Sequence, residues 1–458
     1  MKIIYKTIIV ISIVFFSCKK EFLEEKPSSN IVMPVNLEEF ESILDNTSKV
    51  NVSSALGVIS ADEYKFTSYE TWQSSRTATV RNAYIWKTDI YEGENTDHWN
   101  MPYSSVFYAN NVINGISKLE ISKFEKERAN FILGWAHFIR AFAFFELVKD
   151  FAPIYDERTS NTDLGIPLRL NPSIDEIKPR ATLKETYTQI FSDLDEAKKY
   201  IKNDISGFRN RPSRAAIHAL LARIYLYKSD YENSSKHADS SLKYYDKLID
   251  YNTVSLTSLT PFTYNHPEQL YAKVAVNEAE YATSGANEFI EINPSLIGMY
   301  HSDDLRLKIF FVKQSDGSYD LKRGYYGGGL YPFTGLATDE VYLIKAESLA
   351  ILNRRAEAIE CLNKLLENRY AKGKFIPLQV PNSKEEALRL IREERQKELI
   401  WRGLRWDDIK RYNKENSNII LTRVINGVNY TLTPNENKYI FPIPDNEIIL
   451  GGLIQNRR

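Results

Sequence analysis

The chain has 458 residues, of which 43% are hydrophobic and 26% charged, enough for one large or two ordinary cores and without the bias of a disordered chain. Its 59 basic and 60 acidic residues leave a formal charge of −1, which excludes a long-range field that would recruit nucleic acid or an anionic lipid surface. Cysteine is almost absent, with Cys18 and Cys361 alone, so an exported form has to rely on its core rather than on a disulfide framework.

Lys2 and Lys6 precede an apolar run, Ile8 to Phe16, too short for a hydrocarbon core of roughly 30 Å. The run stops at Phe16-Ser17-Cys18. A basic start, a short apolar stretch and a small residue before the cut read as a signal peptide over residues 1–17. The cysteine directly behind it reads as a lipidation site, so that acylated Cys18 is the membrane anchor, with several acyl chains holding where one binds only reversibly. Residues 18–34, with Glu21, Glu24, Glu25 and Pro27, read as an extended polar leader.

Helical periodicity dominates the chain beyond the leader. Leu37 to Asn46 is amphipathic, and His98 to Leu119 keeps Val106, Ala109, Val112, Ile113 and Ile116 on one face. Ile132 to Lys149 is apolar almost all round, as in a helix buried on most sides. Leu183 to Ile201 is amphipathic again, and Pro212-Ser213 opens a helix from Arg214 to Lys228. Two later segments look like copies of one unit. Ala222 and Ser234 flank a turn at Ser229-Asp230, and Ala346 and Ala358 repeat that spacing across Asn353, each pair reading as a tetratricopeptide-like helical hairpin. The copies lie far more than one repeat apart, so the expectation is independent hairpins rather than a solenoid.

Two stretches break the helical pattern. Asp45 to Asp97 is aromatic and weakly periodic; Asp246 to Thr338 is rich in Tyr, Gly, Ser, Thr and Asn, with a strand-like fragment at Gln269 to Val276. Long irregular segments in a compact domain usually carry function. Near the end, Asn426-Gly427 between apolar strands predicts a β-hairpin within Ile419 to Ile440.

Little in the chain points to catalysis. The six histidines never recur at i, i+4, no HExxH, CxxC or GxSxG occurs, and Gly327-Gly328-Gly329 is followed by neither Lys-Ser/Thr nor a helix start, which makes it a flexible loop. The expectation is a non-enzyme without metal or cofactor. Cys361 sits on an apolar helical face as a buried, inert thiol. In Glu385 to Tyr412, Glu393 with Lys397 and Arg395 with Glu398 are spaced to pair, and Arg402, Arg405 and Arg411 around Gly403 and Trp406 read as an ion-pair network with arginine stacked on tryptophan. Aromatics carry the stronger signal. Tyr69, Trp72 and Arg76 in the first irregular stretch, with Tyr325 and Tyr326 in the second, form the candidate ligand platform, because rings in polar loops can cover the C–H face of a sugar while neighbours bond its hydroxyls. Trp86 and Trp99, close to apolar helical segments, read as core.

Seven segments in order along the chain, CKKEFLEEKP at Cys18, WNMPYSSVFYANNVINGI at Trp99, ILGWAHFIRAFAFFELVKDFAPIY at Ile132, RPSRAAIHALLARIYLYKSDY at Arg211, YLIKAESLAILNRRAEAIECLNKLLENR at Tyr342, IREERQKELIWRGLRWDDIKRY at Ile391 and YIFPIPDNEIILGGLIQNR at Tyr439, together resemble the SusD/RagB family of nutrient-binding outer-membrane lipoproteins of Bacteroidota. The resemblance implies a mainly α fold of tetratricopeptide-like hairpins with loop-rich segments and a small β-hairpin component, made of an N-terminal part, 35–245, and a C-terminal part, 246–458, in one body. It further implies a surface-exposed lipoprotein without catalysis that captures oligosaccharide and delivers it to a SusC-like TonB-dependent transporter. The alternative is a peptide- or protein-binding interaction lipoprotein, which an apolar groove lined by hairpin helices would favour. The family's ligand residues are poorly shared, so none is carried over by motif.

Overall fold

The computed structural model describes residues 34–173, 176–276, 278 and 289–458; the signal peptide, Cys18 and all of the leader but Pro34 lie outside them. The fold is mainly α, and six of the helices named below begin where a side chain satisfies a free N–H group of the first turn. Asn36 accepts from Glu39 at the start of α1 (Leu37–Leu44), and Thr96 opens α2 (Asp97–Ile116). Next come α3 (Lys126–Phe151) and α4 (Leu183–Tyr200), the latter with a capping box between Thr182 and Glu185. Ser213 caps α5 (Arg214–Tyr227) and Asp230 caps α6 (Tyr231–Tyr244). The C-terminal part supplies α7 (Thr338–Ile351), α8 (Arg355–Glu367), α9 (Lys384–Glu398) and α10 (Arg405–Lys414).

Among the described residues α3 is the one helix long and apolar enough to cross a membrane, and it is buried inside the fold instead, between α2 and α4. Its closest approach to α4 requires Gly134, where an added Cβ would stand 2.9 Å from Tyr200 Cβ.

The two repeated units are helical hairpins, α5–α6 and α7–α8. Both turn through a residue in the left-handed region, Ser229 at φ 62° and Asn353 at φ 63°. They are not independent. Helix α6 packs on α7, and Ser234 Oγ, which donates to Ala222 O at 3.0 Å within its own hairpin, meets Ser348 Oγ of the other at 3.0 Å. Small residues at the crossing let the two hairpins stack as one layer although a long segment separates them in sequence.

That segment and residues 45–96 are joined by short ribbons rather than by a sheet. Val52–Ser53 runs parallel to Val274–Ala275 and Tyr64–Phe66 antiparallel to Ile290–Ile292, while Gln269–Tyr271 pairs antiparallel with Leu336–Ala337 inside the long segment itself. The single strand expected over Gln269 to Val276 is thus two, serving different partners. Residues 45–96, weak in helical signal, fold into one- and two-turn helices such as Leu56–Ser60, Tyr69–Gln73 and Ala78–Tyr84. The C-terminal hairpin, Leu421–Ile425 with Val428–Leu432, turns at Asn426 (φ 48°) and Gly427 (φ 73°), the two positive angles of a type I′ turn.

One glycine pins the ribbons to the scaffold. A Cβ on Gly335 would lie 2.0 Å from Tyr271 O and 2.8 Å from Lys273 N, both backbone atoms that cannot step aside. Gly335→Ala is therefore expected to cost roughly 2–3 kcal/mol, and an unchanged denaturant midpoint would contradict that.

Charged residues at the junction of loops and scaffold pair internally. Arg306, fully buried, bonds Asp304 (2.7 Å), Glu394 (2.6 Å) and Glu398 (2.8 Å). Arg369, equally buried, bonds Glu398 and Glu268, each at 2.7 Å. An ion-pair network around Arg402, Arg405 and Arg411 is present, with Asp339, Asp62, Glu347 and Asp408 as partners. The pairings within α9 differ from those that spacing suggests. Glu393 accepts from Arg389, Lys397 turns inward to Glu394 and Asp304, and Arg395 reaches Asp408, because that face of α9 is buried and inner partners outweigh exposed ones. Nor does arginine stack on Trp406, which lies flat on Phe441 (5.5 Å, 22°), while Arg402 covers Tyr325 at 4.1 Å.

Candidate functional site

The sequence-predicted platform divides into two aromatic pairs. Ser68 begins the short helix Tyr69–Gln73 with a capping box to Thr71, which sets Tyr69 and Trp72 side by side, ring centroids 5.7 Å apart and planes at 40°. Both are half-buried against the main core, and the Trp72 indole N–H donates to Arg81 O at 3.1 Å, so this ring presents one face rather than standing free. Arg76 is exposed close by; burial pushes the Glu278 carboxyl up, and the hydrogen bond with His98 together with the charge of Arg76 more than offsets this. Glu278 itself bonds His98 Nε2 at 2.8 Å, and His98 Nδ1 accepts from Ala55 N, which places the ring proton on Nε2.

In the second region the adjacent tyrosines take opposite roles. Tyr325 is 8% exposed and is part of the core, which removes it from the platform. Its hydroxyl donates to Glu268 at 2.6 Å, its ring lies under Arg402, and its carbonyl accepts from His266 Nε2 (2.8 Å) and Gln269 Nε2 (3.0 Å). Burial holds His266 neutral, its pKa lowered to about 4, and pushes Glu268 up to about 7 against the Arg369 guanidinium. Tyr326 turns the other way, half-buried, and meets a partner that sequence reasoning missed. Tyr264, 51% exposed, stands 5.1 Å from it at 70°, hydroxyls 3.3 Å apart. Its signal was present in Pro261-Phe262-Thr263-Tyr264-Asn265, a ring among turn-forming residues.

The glycine triplet has a structural task here beyond loop flexibility. Gly327 has φ 64°, and a Cβ on it would come within 2.5 Å of Tyr264 N, so only glycine lets this turn close on the neighbouring loop and set the pair. Leu259 (54% exposed) and Leu330 (38%) add apolar surface on these two loops. The site thus offers ring faces, hydroxyls and apolar rim and, among the described residues, no cluster of three metal-ligating side chains. Cys361 lies elsewhere, in α8, and burial pushes its thiol up to about 11. Trp86 and Trp99 are core, as their surroundings in sequence indicate.

A cleft of about 860 Å³ along the hairpin helices combines charged side chains, among them Arg389, Arg392, Glu393 and Glu415, with the apolar Ile351, Leu388 and Ile419.

Residues 21–226 match a family described as "Starch-binding associating with outer membrane", and residues 336–457 match the SusD family. The chain is 24% identical to SusD-like protein P2 of Formosa agariphila over 418 residues, 77% of each chain. Among solved structures it resembles a SusD superfamily protein from Bacteroides thetaiotaomicron (TM-score 0.75, 19% identity, 93% of this chain and 100% of that one). It also resembles surface glycan-binding protein A from Bacteroides fluxus (TM-score 0.67, 18% identity, 92% and 99%). With both family matches falling on the helical scaffold and its C-terminal segments, and the same fold recurring over nearly the whole chain, this protein belongs to the SusD/RagB family.

Proposed function

We propose that this chain is a carbohydrate-binding lipoprotein of the outer membrane, anchored through Cys18, that captures an oligosaccharide and passes it to a SusC-like TonB-dependent transporter without catalysing a reaction on it. The observation that carries the ligand class is the pair of exposed Tyr264 and half-buried Tyr326, braced from behind by the buried Tyr325–Glu268 bond, with Tyr69, Trp72 and Arg76 as the second aromatic element. Kinship with proteins described as starch-binding and glycan-binding supports the same reading. Ring-on-sugar contacts contribute about 1–2 kcal/mol each, so several give micromolar binding, weak enough for cargo to leave at a useful rate.

Tyr264→Ala is expected to weaken glycan binding about tenfold with a nearly unchanged thermal midpoint, because the ring is half exposed. Trp72→Ala should lower both, since its ring also packs on the core and its N–H is tied to Arg81. Calorimetric titration beside thermal melts reads both, and wild-type affinity in Tyr264→Ala would remove the pair from the site. For the anchor, Cys18→Ala should move the protein from the membrane to the soluble fraction in cells lacking the transporter; full membrane retention there would refute lipidation at Cys18. Co-purification from detergent should recover a β-barrel transporter, and recovery of a homo-oligomer alone would count against delivery.

A further inference from the structure

The two loops that carry Tyr264 and Tyr326 also enclose a notch. Residues 256–265 and 322–333 are tied together by Lys322 Nζ, which donates to Leu256 O at 2.6 Å, and by Arg323 N, which donates to Leu259 O at 3.0 Å. Between these loops, Ile309, Phe310 and residues 400–402 lies a cavity of about 50 Å³. That is several times the roughly 10–15 Å³ that one water needs and far below the roughly 300 Å³ of a complete small-ligand site, so it admits about three non-hydrogen atoms and no sugar ring.

Its walls are mainly apolar, with Phe262, Phe310, Leu321, Phe333 and Ile400 all buried. Most of the charge in the lining is already spent. Glu398 is taken by Arg306 and Arg369, Arg402 by Asp339 and the Tyr325 ring, and Lys322 by the carbonyls of Leu256 and Lys308. Arg323 and Tyr331 differ. Both line the notch half-buried, and among the described residues neither the guanidinium nor the phenol hydroxyl has a hydrogen-bond or ion-pair partner.

A small apolar recess with two free donors, on the loops that hold a pair of rings, matches one substituent of sugars in particular. The methyl and carbonyl carbons of an acetyl group fill such a recess, its carbonyl oxygen accepts from Arg323 or Tyr331, and the sugar ring stays outside. A bare hydroxyl would leave the recess unfilled, and a carboxylate drawn in by Arg323 would lose its water among aromatic walls. We propose that the glycan captured by this protein is acetylated, and that this notch seats the acetyl group of an N- or O-acetylated sugar. The inference rests on the carbohydrate-binding reading of the same loops and adds to it the chemical class of the sugar.

Calorimetric titration of the acylated protein in detergent tests it with matched sugars. N-acetylchitohexaose is set against cellohexaose, which differs only in a hydroxyl in place of each acetamido group, and acetylated xylohexaose against its deacetylated form; hexagalacturonate serves as the anionic control. At least one acetylated sugar is expected to bind about tenfold or more tighter than its counterpart, from a buried methyl and one hydrogen bond. Gly324→Leu, at a lining position where a Cβ meets only Tyr326 N at 3.5 Å, should abolish that preference, with a thermal melt to show that the fold is kept. Arg323→Ala/Tyr331→Phe, which removes the donors without filling the recess, should reduce it to about threefold. An acetylated sugar never preferred over its counterpart, or a preference that survives both variants, overturns the notch; the platform still stands if the unacetylated sugars bind and weaken in Tyr264→Ala. Tighter binding of hexagalacturonate than of every acetylated sugar also overturns it and gives Arg323 to an anionic sugar. An acetyl preference lost in Gly324→Leu with affinity untouched by Tyr264→Ala upholds the notch and removes the tyrosine pair instead.

Discussion

Arg306→Met is expected to destabilise the protein by roughly 3–5 kcal/mol, more than any other single change proposed for this chain. Arg306 is fully buried and neutralises three carboxylates at once, Asp304, Glu394 and Glu398. Its removal leaves two of these, Asp304 and Glu398, buried beside each other with only Lys397 and Arg369 to share between them. Methionine keeps much of the stem's volume, so the loss reports on uncompensated charge rather than on a cavity. The deficit should shrink on acidification as the freed carboxylates take up protons. Equal destabilisation by Arg306→Met at pH 4.5 and pH 7.5 in denaturant titrations would show that packing, not charge, is at stake.

The second large effect concerns Glu63. Its side chain is buried, Oε1 accepts from Trp401 N at 3.1 Å, and Oε2 has no partner. Burial pushes its pKa from 4.5 up to about 8, with the Trp401 N–H opposing and Asp62 and Asp408 adding to the rise. The neighbouring Asp62 takes the guanidinium instead: burial raises it, but Arg405, bonded at 2.7 Å, more than offsets this and leaves it below its ordinary value. Between pH 4.5 and 8 the folded protein keeps the Glu63 proton and the unfolded chain has released it, so stability attributable to Glu63 falls as pH rises through that window, by an amount on the order of 4 kcal/mol. Glu63→Gln keeps the acceptor and removes the titration. The variant should gain on the wild type steadily from pH 5 to pH 8, and a constant difference between the two across that range would disprove the assignment.

How much of the fold and the site was legible in the sequence depended on the range of the interactions involved. Hairpins α5–α6 and α7–α8 could be read because periodicity, a capping Ser or Asp and a turn at Ser229 or Asn353 are local. The stacking of one hairpin on the other could not, since it rests on a meeting of Ser234 with Ser348 across 114 positions. The aromatic platform shows the same limit at the scale of one residue. Tyr325 and Tyr326 are chemically identical neighbours, and what separates core from surface is Glu268, 57 residues away, which binds the first hydroxyl, and Tyr264, 62 residues away, which meets the second. Ribbons of two or three residues, such as Val52–Ser53 with Val274–Ala275, leave no period to detect. The likeness to a known family supplied the architecture that local patterning left open, and the ligand-facing residues are where that likeness is least informative.

Because α6 lies against α7, the long segment between them is a loop whose two ends the scaffold already holds together. The entropy of closing such a loop grows only logarithmically with its length, about 0.6 kcal/mol for each doubling, so insertions at its exposed turns, away from the buried Glu268, Arg306 and Gly335, cost the scaffold little. The exposed turns that carry Tyr264 and Tyr326 can therefore change in length more freely than the helices, while the buried pairs at their roots keep the frame in register.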